Sequence, residues 1–423
     1  MMRHLIRNST ILDAASPFNG KKVDILLEDG QIQQVKEGSI TDVDAVVIDG
    51  EGCYMSPGFC DLYVHIADPG FEQREDIRSV AKAALAGGFT TICAIAGNHP
   101  ITQSKAQVEY IIQQSKQTGI RILPIGAITE NFDGKTPTEM YDMHHAGAVA
   151  FSDMPQAVKN SGVMMRALQY VQPFGGLIMT MPYDQTLVGE GQVNESERSV
   201  RMGMKGITNL SEYSIVQRDV ELLRYAGGKL HMAGISASES VALIRKAKQD
   251  GLQISCSVFV HHLVSTEEAV SNFDSNFKVF PPLRTEADRA ALLQGLEDGT
   301  IDTISTQHTP LDIDHKNVEF EYAENGMIGL ETAFGLLVQH LGERFSREQL
   351  VNWLSSAPAG IIGKSNSIRE AAPAEMTLLD FDTAWTFTEK DIRSKSKNTP
   401  YIGTPLKGKV KAVFSGNTVT ILT

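Results

Sequence analysis

Residues 59–96 read FCDLYVHIADPGFEQREDIRSVAKAALAGGFTTICAIA and carry the clearest fold signal in the chain. The pattern predicts a strand over Phe59–His65, a helix over Arg74–Ala86 and a second strand over Phe89–Ala96. Gly87-Gly88 stands where the helix would end. Continuously apolar strands separated by a helix are typical of a parallel sheet that is buried on both faces.

The same alternation continues through the middle of the chain. Further strands are predicted at Ile120–Ala127, Ala148–Ser152, Gly175–Met181, Lys229–Gly234, Leu252–Val258 and Ile301–Thr306. Further helices are predicted at Gln103–Gln117, Pro137–Ala146, Lys159–Val171, Ser214–Ala226, Ser236–Gln249 and Arg284–Glu297. Eight such units favour a (β/α)₈ TIM-type barrel over an open doubly wound sheet. No glycine-rich stretch has the dinucleotide-binding pattern.

Both ends of the chain are rich in short strands instead. Val23–Val35 has the pattern of a hairpin around Asp29-Gly30, and 408–422 has that of a second hairpin around Gly416-Asn417. Each terminal piece alone offers few strands. We therefore expect residues 1–55 and 365–423 to form one small β-sandwich domain, with the barrel over 56–364.

Composition excludes several classes of protein. The 423 residues are 42% hydrophobic, and 38 Lys and Arg face 51 Asp and Glu, a net charge of −13. Such an acidic chain is a poor binder of nucleic acid or anionic membranes, and no apolar run is long enough for a membrane helix. Met1–Asn8 lacks the apolar core of a signal peptide, and the four cysteines show no C-x-x-C spacing. We expect a cytoplasmic protein with reduced thiols.

In a barrel, functional side chains lie at the carboxyl ends of the strands. There the sequence offers few metal ligands: His65, Asp153 and His308, with His99 as a further candidate. Each has a structural alternative. A histidine such as His65 or His231 can be a hydrogen-bonded structural residue, Asp153 can cap a helix or bind loop amides, and His261-His262 can order a loop.

Several motifs occur in the order found in one known family. They include Pro57-Gly-Phe-Cys-Asp-Leu-Tyr-Val-His65, Phe151-Ser-Asp153, Pro281-Pro-Leu-Arg284 and Gly329-Leu-Glu-Thr-Ala-Phe334. Through them the chain resembles the dihydroorotase family of the amidohydrolase superfamily. The resemblance implies a (β/α)₈ barrel with a small β domain. The reaction it implies is the reversible cyclisation of carbamoyl-aspartate to dihydroorotate at a zinc site.

The catalytic positions of that family are changed in this chain. Where the resemblance implies metal-binding histidines the chain has Tyr63, Met181 and Gly234, and where it implies the general base the chain has Gln307. Substrate-binding Arg and Asn correspond to Ala67 and Gly97, with Asn98 adjacent to the latter. We therefore expect no catalytic residue and no bound metal, and only a vestigial pocket, formed by Tyr63, His65, Ala67, Gly97, Asn98, Asp153, Met181, Gly234, Gln307 and His308.

Three hypotheses follow from these departures. The first is a non-catalytic subunit that associates with aspartate carbamoyltransferase, a partner implied by resemblance to inactive family members. The second is an active cyclic-amide hydrolase with a reduced single-metal site, in which His65, Asp153 and His308 would hold zinc. The third is a structural protein without an enzyme partner, like the non-catalytic relatives of dihydropyrimidinase. We also expect a homo-oligomer.

Overall fold

The computed structural model describes residues 3–41 and 43–422. Their strands are β1 (Arg3–Ile11), β2 (Lys22–Glu28), β3 (Gln31–Glu37), β4 (Val46–Asp49), β5 (Tyr54–Pro57), β6 (Phe59–Val64), β7 (Phe89–Ala94), β8 (Arg121–Gly126), β9 (Ala150–Phe151), β10 (Ile178–Thr180), β11 (Val193–Asn194), β12 (Gly206–Ile207), β13 (Leu230–Met232), β14 (Ile254–Phe259), β15 (Thr303–Ser305), β16 (Glu375–Thr386), β17 (Pro405–Ser415) and β18 (Thr418–Ile421).

The α-helices of the described residues lie mainly between the central strands. They are α1 (Ile77–Ala86), α2 (Lys105–Ser115), α3 (Met140–Ala146), α4 (Ser161–Val171), α5 (Gln185–Val188), α6 (Glu197–Met202), α7 (Leu210–Ala226), α8 (Ser238–Gln249), α9 (Val260–Val264), α10 (Glu286–Glu297), α11 (Ile313–Lys316), α12 (Ala333–Leu341), α13 (Arg347–Leu354) and α14 (Ser356–Ile361). None of these helices is long and apolar enough to cross a membrane.

Eight parallel strands form the central barrel, in the spatial order β15-β14-β13-β10-β9-β8-β7-β6. The first and last strands approach each other, because the backbone N–H of His65 donates to the carbonyl of His308 over 2.9 Å. Nearby, the N–H of Thr306 donates to the Asp61 carboxylate, also over 2.9 Å. The predicted (β/α)₈ barrel is confirmed as a nearly closed barrel of eight parallel strands with helices, accompanied by a β-rich unit.

The connection between β6 and β7 forms as the sequence predicts. Asp76 caps α1, since its carboxylate accepts the N–H groups of Arg78 and Ser79. The helix ends at Ala86, and Gly88 has a φ of +91°, a conformation that favours glycine. Its Cβ-free backbone also lets the Phe59 ring approach closely.

The β-rich unit uses strands from both ends of the chain. Strands β1–β5 and β16–β18 pair into one sheet, in which the C-terminal β16 pairs antiparallel with the N-terminal β5. The sheet buries its own apolar cluster, which includes Ile25, Met55, Leu378 and Phe414. The boundaries expected at 55/56 and 364/365 stay a prediction, and residues 1, 2, 42 and 423 of those ranges lie outside the described residues.

The barrel interior is filled by a separate apolar cluster that reaches the carboxyl ends of the strands. It includes Tyr63, Ile95, Met181 and Phe259, each of which is at most 3% exposed. In this position a metal hydrolase would carry polar ligands. The composition of this end of the barrel therefore decides what chemistry the site can perform.

Candidate functional site at the barrel mouth

A cavity of about 470 Å³ opens at the carboxyl ends of the barrel strands. We call it the mouth cavity, and its lining includes Tyr63, His65, Arg74, Met181, Phe280 and Gln307. Four members of the predicted vestigial pocket thus line it: Tyr63, His65, Met181 and Gln307. The others, which are Ala67, Gly97, Asn98, Asp153, Gly234 and His308, are not part of its lining.

One ring nitrogen of His65 forms a hydrogen bond with the protein backbone. Its Nε2 lies 2.9 Å from the carbonyl oxygen of Gly97, an acceptor, so Nε2 must carry the proton and donate it. Nδ1 then has a free lone pair, and this buried atom has no hydrogen-bond partner. Burial lowers the pKa of His65, and the nearby Arg74 and His308 also lower it, which keeps the imidazole neutral at pH 7.

Asp153 binds backbone amides of a loop, which is the structural role that the sequence analysis offered as an alternative to metal binding. Its Oδ1 accepts the backbone N–H groups of Ile128 and Thr129 over 2.8 and 2.9 Å. Its Oδ2 accepts the Thr129 hydroxyl over 2.5 Å. Burial raises the pKa of the carboxyl group, and the hydrogen bonds from Thr129 and Ile128 oppose that rise. The side chain therefore orders the loop after β8 and does not face the mouth cavity.

His308 is fully buried and its ring is engaged on both sides. Nδ1 accepts the N–H of Gly329 over 3.3 Å, so Nε2 carries the proton and lies 3.5 Å from the Glu75 carboxylate. Glu75 in turn accepts the hydroxyl groups of Ser79 and Ser394. This network connects the barrel to the segment that follows β16, so His308 serves the packing of the chain.

The structure does not bring together His65, Asp153 and His308, the zinc ligands of the second hypothesis, because the last two side chains bind loop amides and Glu75. Among residues 3–41 and 43–422, no group of three or more His, Cys, Asp or Glu side chains is placed to hold a metal ion. A zinc site needs three or four such donors on one point. The side chains present do not fit zinc, because Nδ1 of His65 is a single free donor atom and the carboxylate of Asp153 is committed to backbone groups elsewhere.

Gly234 has no room for a side chain. A Cβ atom there would lie 2.2 Å from Cε2 of the Phe259 ring, and the backbone φ is +69°. Phe259 also packs against Tyr63 in an edge-to-face contact with ring centroids 5.2 Å apart. Together with Met181, these two rings give the floor of the site an apolar character. Burial raises the pKa of the Tyr63 hydroxyl, and the neighbouring Tyr183 raises it further.

Three other members of the predicted pocket lie near the first two strand ends. Ala67 is fully buried with a φ of +57°, and its carbonyl accepts the N–H of Phe71 over 2.8 Å. The carbonyl of Gly97 is occupied by His65. Asn98 is 3% exposed, and neither side-chain polar atom has a hydrogen-bond partner. His99 packs its ring 6.4 Å from that of Phe71 and does not line the mouth cavity.

The remaining histidines near the barrel have structural surroundings. His231 is fully buried, with its ring nitrogens 2.9 and 3.2 Å from the hydroxyl groups of Ser255 and Ser257. Burial lowers its pKa to about 3. His262 orders a loop through the carbonyls of Pro281 and Pro282, as expected, whereas Nε2 of His261 has no partner.

Sequence reasoning missed the charged pair of the mouth cavity, Arg74 and Glu324. The guanidinium donates to the two Glu324 oxygens over 3.1 and 3.2 Å, and its Nε lies 3.4 Å from Asp312. Arg74 stands just before α1 and Glu324 lies in the loop after α11, so no strand-end pattern marks either of them. Phe259 was also missed, although it directly follows a predicted strand.

Comparison with known proteins gives matches to one family, by a family model over part of the chain and by relatives over nearly all of it. The family model described as "Dihydro-orotase-like" matches residues 52–240. The chain is 41% identical to the dihydroorotase of Caldanaerobacter subterraneus subsp. tengcongensis, over 97% of this chain and 95% of that one. It is 37% identical to the dihydroorotase of Trichlorobacter lovleyi, over 98% of this chain and 100% of that one.

Solved structures agree with the fold. The L-hydantoinase (dihydropyrimidinase) from Arthrobacter aurescens superposes with a TM-score of 0.86 at 23% identity, covering 100% of this chain and 98% of that one. Dihydropyrimidinase from Brevibacillus agri superposes with a TM-score of 0.85 at 18% identity, covering 99% and 95%. At these identities the likeness concerns the fold alone.

Proposed function

The chain belongs to the dihydroorotase family, and we propose that it is a non-catalytic member of this family, a dihydroorotase-like protein of pyrimidine biosynthesis. The observation that carries the proposal is the mouth cavity, whose described lining has two conventional zinc-ligand side chains, His65 and Glu324, and Glu324 is bound to Arg74. Tyr63, Met181 and Gln307 occupy the other strand ends of that lining. None of these three is a good ligand for zinc.

The lack of a set of converging metal ligands affects catalysis more than the loss of any single residue. A hydrolytic metal ion polarises the carbonyl group that is attacked and lowers the pKa of the attacking water. A catalytic zinc ion takes three protein ligands, and the described residues bring together no group of three or more His, Cys, Asp or Glu side chains that could hold one. Several kcal/mol of transition-state stabilisation are lost with it.

The position of the general base supports the same proposal. Gln307 cannot accept a proton at neutral pH, and its Nε2 donates to the carbonyl of Phe280 over 2.6 Å. Loss of a general base alone lowers a rate by about 10²–10⁴. Ala67 also cannot pair with a substrate carboxylate, and Arg74 is already bound to Glu324.

We further propose that the protein acts as a structural or regulatory subunit of aspartate carbamoyltransferase. This partner rests on the resemblance to inactive family members alone. The test is size-exclusion chromatography with light scattering on the chain mixed with the purified transferase of the same organism. A complex of defined mass that raises transferase activity supports the proposal, and two separate peaks at micromolar concentration contradict it.

Catalysis is tested on protein produced with added zinc. Ring opening of dihydroorotate and cyclisation of carbamoyl-aspartate are both measured, with a His65→Ala variant beside the unmodified chain. We expect both proteins to show the same background rate. Turnover by the unmodified chain that is lost in His65→Ala contradicts the non-catalytic proposal.

The names of the curated relatives favour a second candidate, an active cyclic-amide hydrolase, and they support it more directly than they support inactivity. Those relatives are named dihydroorotase at 36–41% identity over nearly the whole chain. An active enzyme would need ligands other than the trio of His65, Asp153 and His308. The same zinc-replete assay, extended to other cyclic amides, distinguishes the two candidates.

A further inference from the structure

We propose that residues 312–325 form a docking surface for a partner protein that presents a basic face with an apolar recess. We call these residues the docking loop. This inference deepens the proposed role as a subunit and rests on it, because it assigns the surface through which that subunit would bind. Four features of the docking loop support it: its length, its fixed backbone, its exposed apolar side chains and its unpaired negative charge.

The docking loop lies within a long connection at the carboxyl end of the barrel. This connection runs from the end of β15 at Ser305 to the start of α12 at Ala333. Its regular element is α11, and residues 317–332 follow without a helix or strand in the described structure. Irregular segments longer than about 12–15 residues are uncommon in compact domains and usually carry a function.

Two buried lysine side chains hold the backbone of the docking loop in place. Nζ of Lys278 donates to the carbonyl oxygens of Phe320 and Glu321 over 2.7 and 2.9 Å. Nζ of Lys316 donates to the carbonyl oxygen of Glu324 over 3.0 Å. A surface that is ordered before binding loses less conformational entropy when a partner binds. The docking loop therefore presents its side chains from a fixed backbone.

The docking loop exposes several large apolar side chains close together. Ile313 and Tyr322 are 71% and 73% exposed, and Val318 is 38% exposed. Ile313 and Val318 line a groove of about 710 Å³ together with Phe273, which is 46% exposed. Clustered apolar side chains on a surface are typical of protein–protein contact sites. Tyrosine is also among the residue types that dominate the binding energy at such sites.

The docking loop is strongly acidic. Its charged side chains are the buried Lys316 and five carboxylates, those of Asp312, Asp314, Glu319, Glu321 and Glu324. Arg74 binds two of these carboxylates, those of Asp312 and Glu324. The other three are exposed, and within the described part of the chain they form no ion pair and accept no hydrogen bond. A surface with unpaired carboxylates is complementary to a basic surface.

The exposed lysine side chains beside the groove do not neutralise this charge. Lys395 and Lys397 both line the groove. Lys397 lies 3.6 Å from the carboxylate of Glu389, and Lys395 forms an ion pair with Asp76. Each lysine is thus already paired with an acidic residue outside the docking loop.

The charge of the docking loop selects between possible occupants. A second copy would bring the same carboxylates against a chain whose net charge is −13, and like charges at a contact disfavour association. An anionic membrane or a nucleic acid would be repelled in the same way. A protein with Lys or Arg around an apolar recess matches both the charge and the exposed apolar side chains, so it is the occupant that we assign.

The probe is the purified aspartate carbamoyltransferase of the same organism, which is the proposed partner. Binding of the full chain to the immobilised transferase is measured by surface plasmon resonance. Tyr322→Ser should raise Kd at least about ten-fold, because it removes an exposed aromatic anchor. Tyr225→Ser is the matched control, since Tyr225 is 77% exposed and lies near the end of α7, just before β13 begins at the amino end of the barrel. It should bind as the unmodified chain does.

A charge reversal tests the acidic character of the docking loop separately. Glu319→Lys should lower the association rate constant several-fold at low ionic strength, and added salt should reduce the difference. Glu343→Lys, on an exposed glutamate that follows α12, changes the net charge of the chain by the same amount. This control should leave the association rate nearly unchanged.

The possible outcomes separate this inference from the proposed function. Transferase binding that Tyr322→Ser and Glu319→Lys leave unaltered, or that Tyr225→Ser weakens equally, overturns this inference and leaves the subunit role standing. No binding at micromolar concentration overturns the subunit role and this inference together. Sedimentation velocity on the chain alone detects a contact between copies, and an oligomer that Tyr322→Ser dissociates overturns the assigned occupant.

Discussion

Gly234 lies so close to Phe259 that a Cβ atom on residue 234 would stand 2.2 Å from the aromatic ring. The resemblance to the dihydroorotase family implies a metal-binding histidine at the position of Gly234. In this chain the ring of Phe259 fills the space that such a side chain would need. A side chain at position 234 and the ring of Phe259 therefore exclude each other in this packing.

This contact predicts the cost of a side chain at position 234. Gly234→Ala should lower the free energy of unfolding by about 2–4 kcal/mol, because overpacking and a left-handed backbone both disfavour alanine. Urea unfolding measures the change. Gly251→Ala is the matched control, since Gly251 also has a left-handed φ, +81°, but no neighbouring atom within 4 Å of a Cβ.

The control should lose only about 1 kcal/mol, from the backbone conformation alone. A Phe259→Leu substitution added to Gly234→Ala should recover part of the loss. Equal destabilisation by Gly234→Ala and Gly251→Ala would contradict the claim that Phe259 leaves no room for a side chain at position 234. A metal-binding side chain could then be introduced at that position.

Asp153 should behave as a structural residue. Asp153→Asn makes the oxygen that accepts the N–H groups of Ile128 and Thr129 neutral and puts an NH2 group where Oδ2 accepts the Thr129 hydroxyl, so the free energy of unfolding should fall by about 1–3 kcal/mol. Asp314→Asn, on an exposed aspartate, serves as the control and should leave stability unchanged. Unaltered stability of Asp153→Asn together with loss of a bound metal would identify Asp153 as a ligand instead.

The buried imidazole of His231 predicts sensitivity to acid. Its folded-state pKa of about 3 lies below the unfolded value of about 6.5, so the unfolded chain binds the proton more readily. Stability from this group is therefore complete above pH 6.5 and is lost as pH falls toward 3. Between pH 7 and pH 5 the loss should be about 2 kcal/mol.

His231→Gln removes this contribution, and chemical denaturation at pH 7 and pH 5 measures it. The variant should be less stable than the unmodified chain at pH 7, with a smaller drop on going to pH 5. If both proteins lose the same free energy between the two pH values, His231 does not titrate as its burial implies.

Regular elements were predictable because their signals are local. The helix Ile77–Ala86 has an aspartate cap before it and glycines after it, and the strand Phe89–Ala94 is continuously apolar. Predicted bounds were longer than the observed ones where strand pairing stops early, as at Ile178–Thr180. The two terminal segments were also expected to join, because neither alone has enough strands.

The site was predictable only in part, because its contacts join residues far apart in sequence. Tyr63, His65, Met181 and Gln307 were identified from their positions at strand ends. The Arg74–Glu324 pair spans 250 residues and lies on loops, where periodicity gives no signal. Asp153 and His308 sit at strand ends as expected, but hydrogen bonds to loop amides and to Glu75 determine where their side chains point.

Zinc stoichiometry is the most direct test of the central claim, that the barrel mouth cannot hold a catalytic metal. Full-length protein produced with added zinc is dialysed and measured by elemental mass spectrometry, beside the His65→Ala variant. We predict a zinc content well below one per chain, equal in the two proteins. About one zinc per chain in the unmodified protein, lost in His65→Ala, would contradict the account and restore the hydrolase.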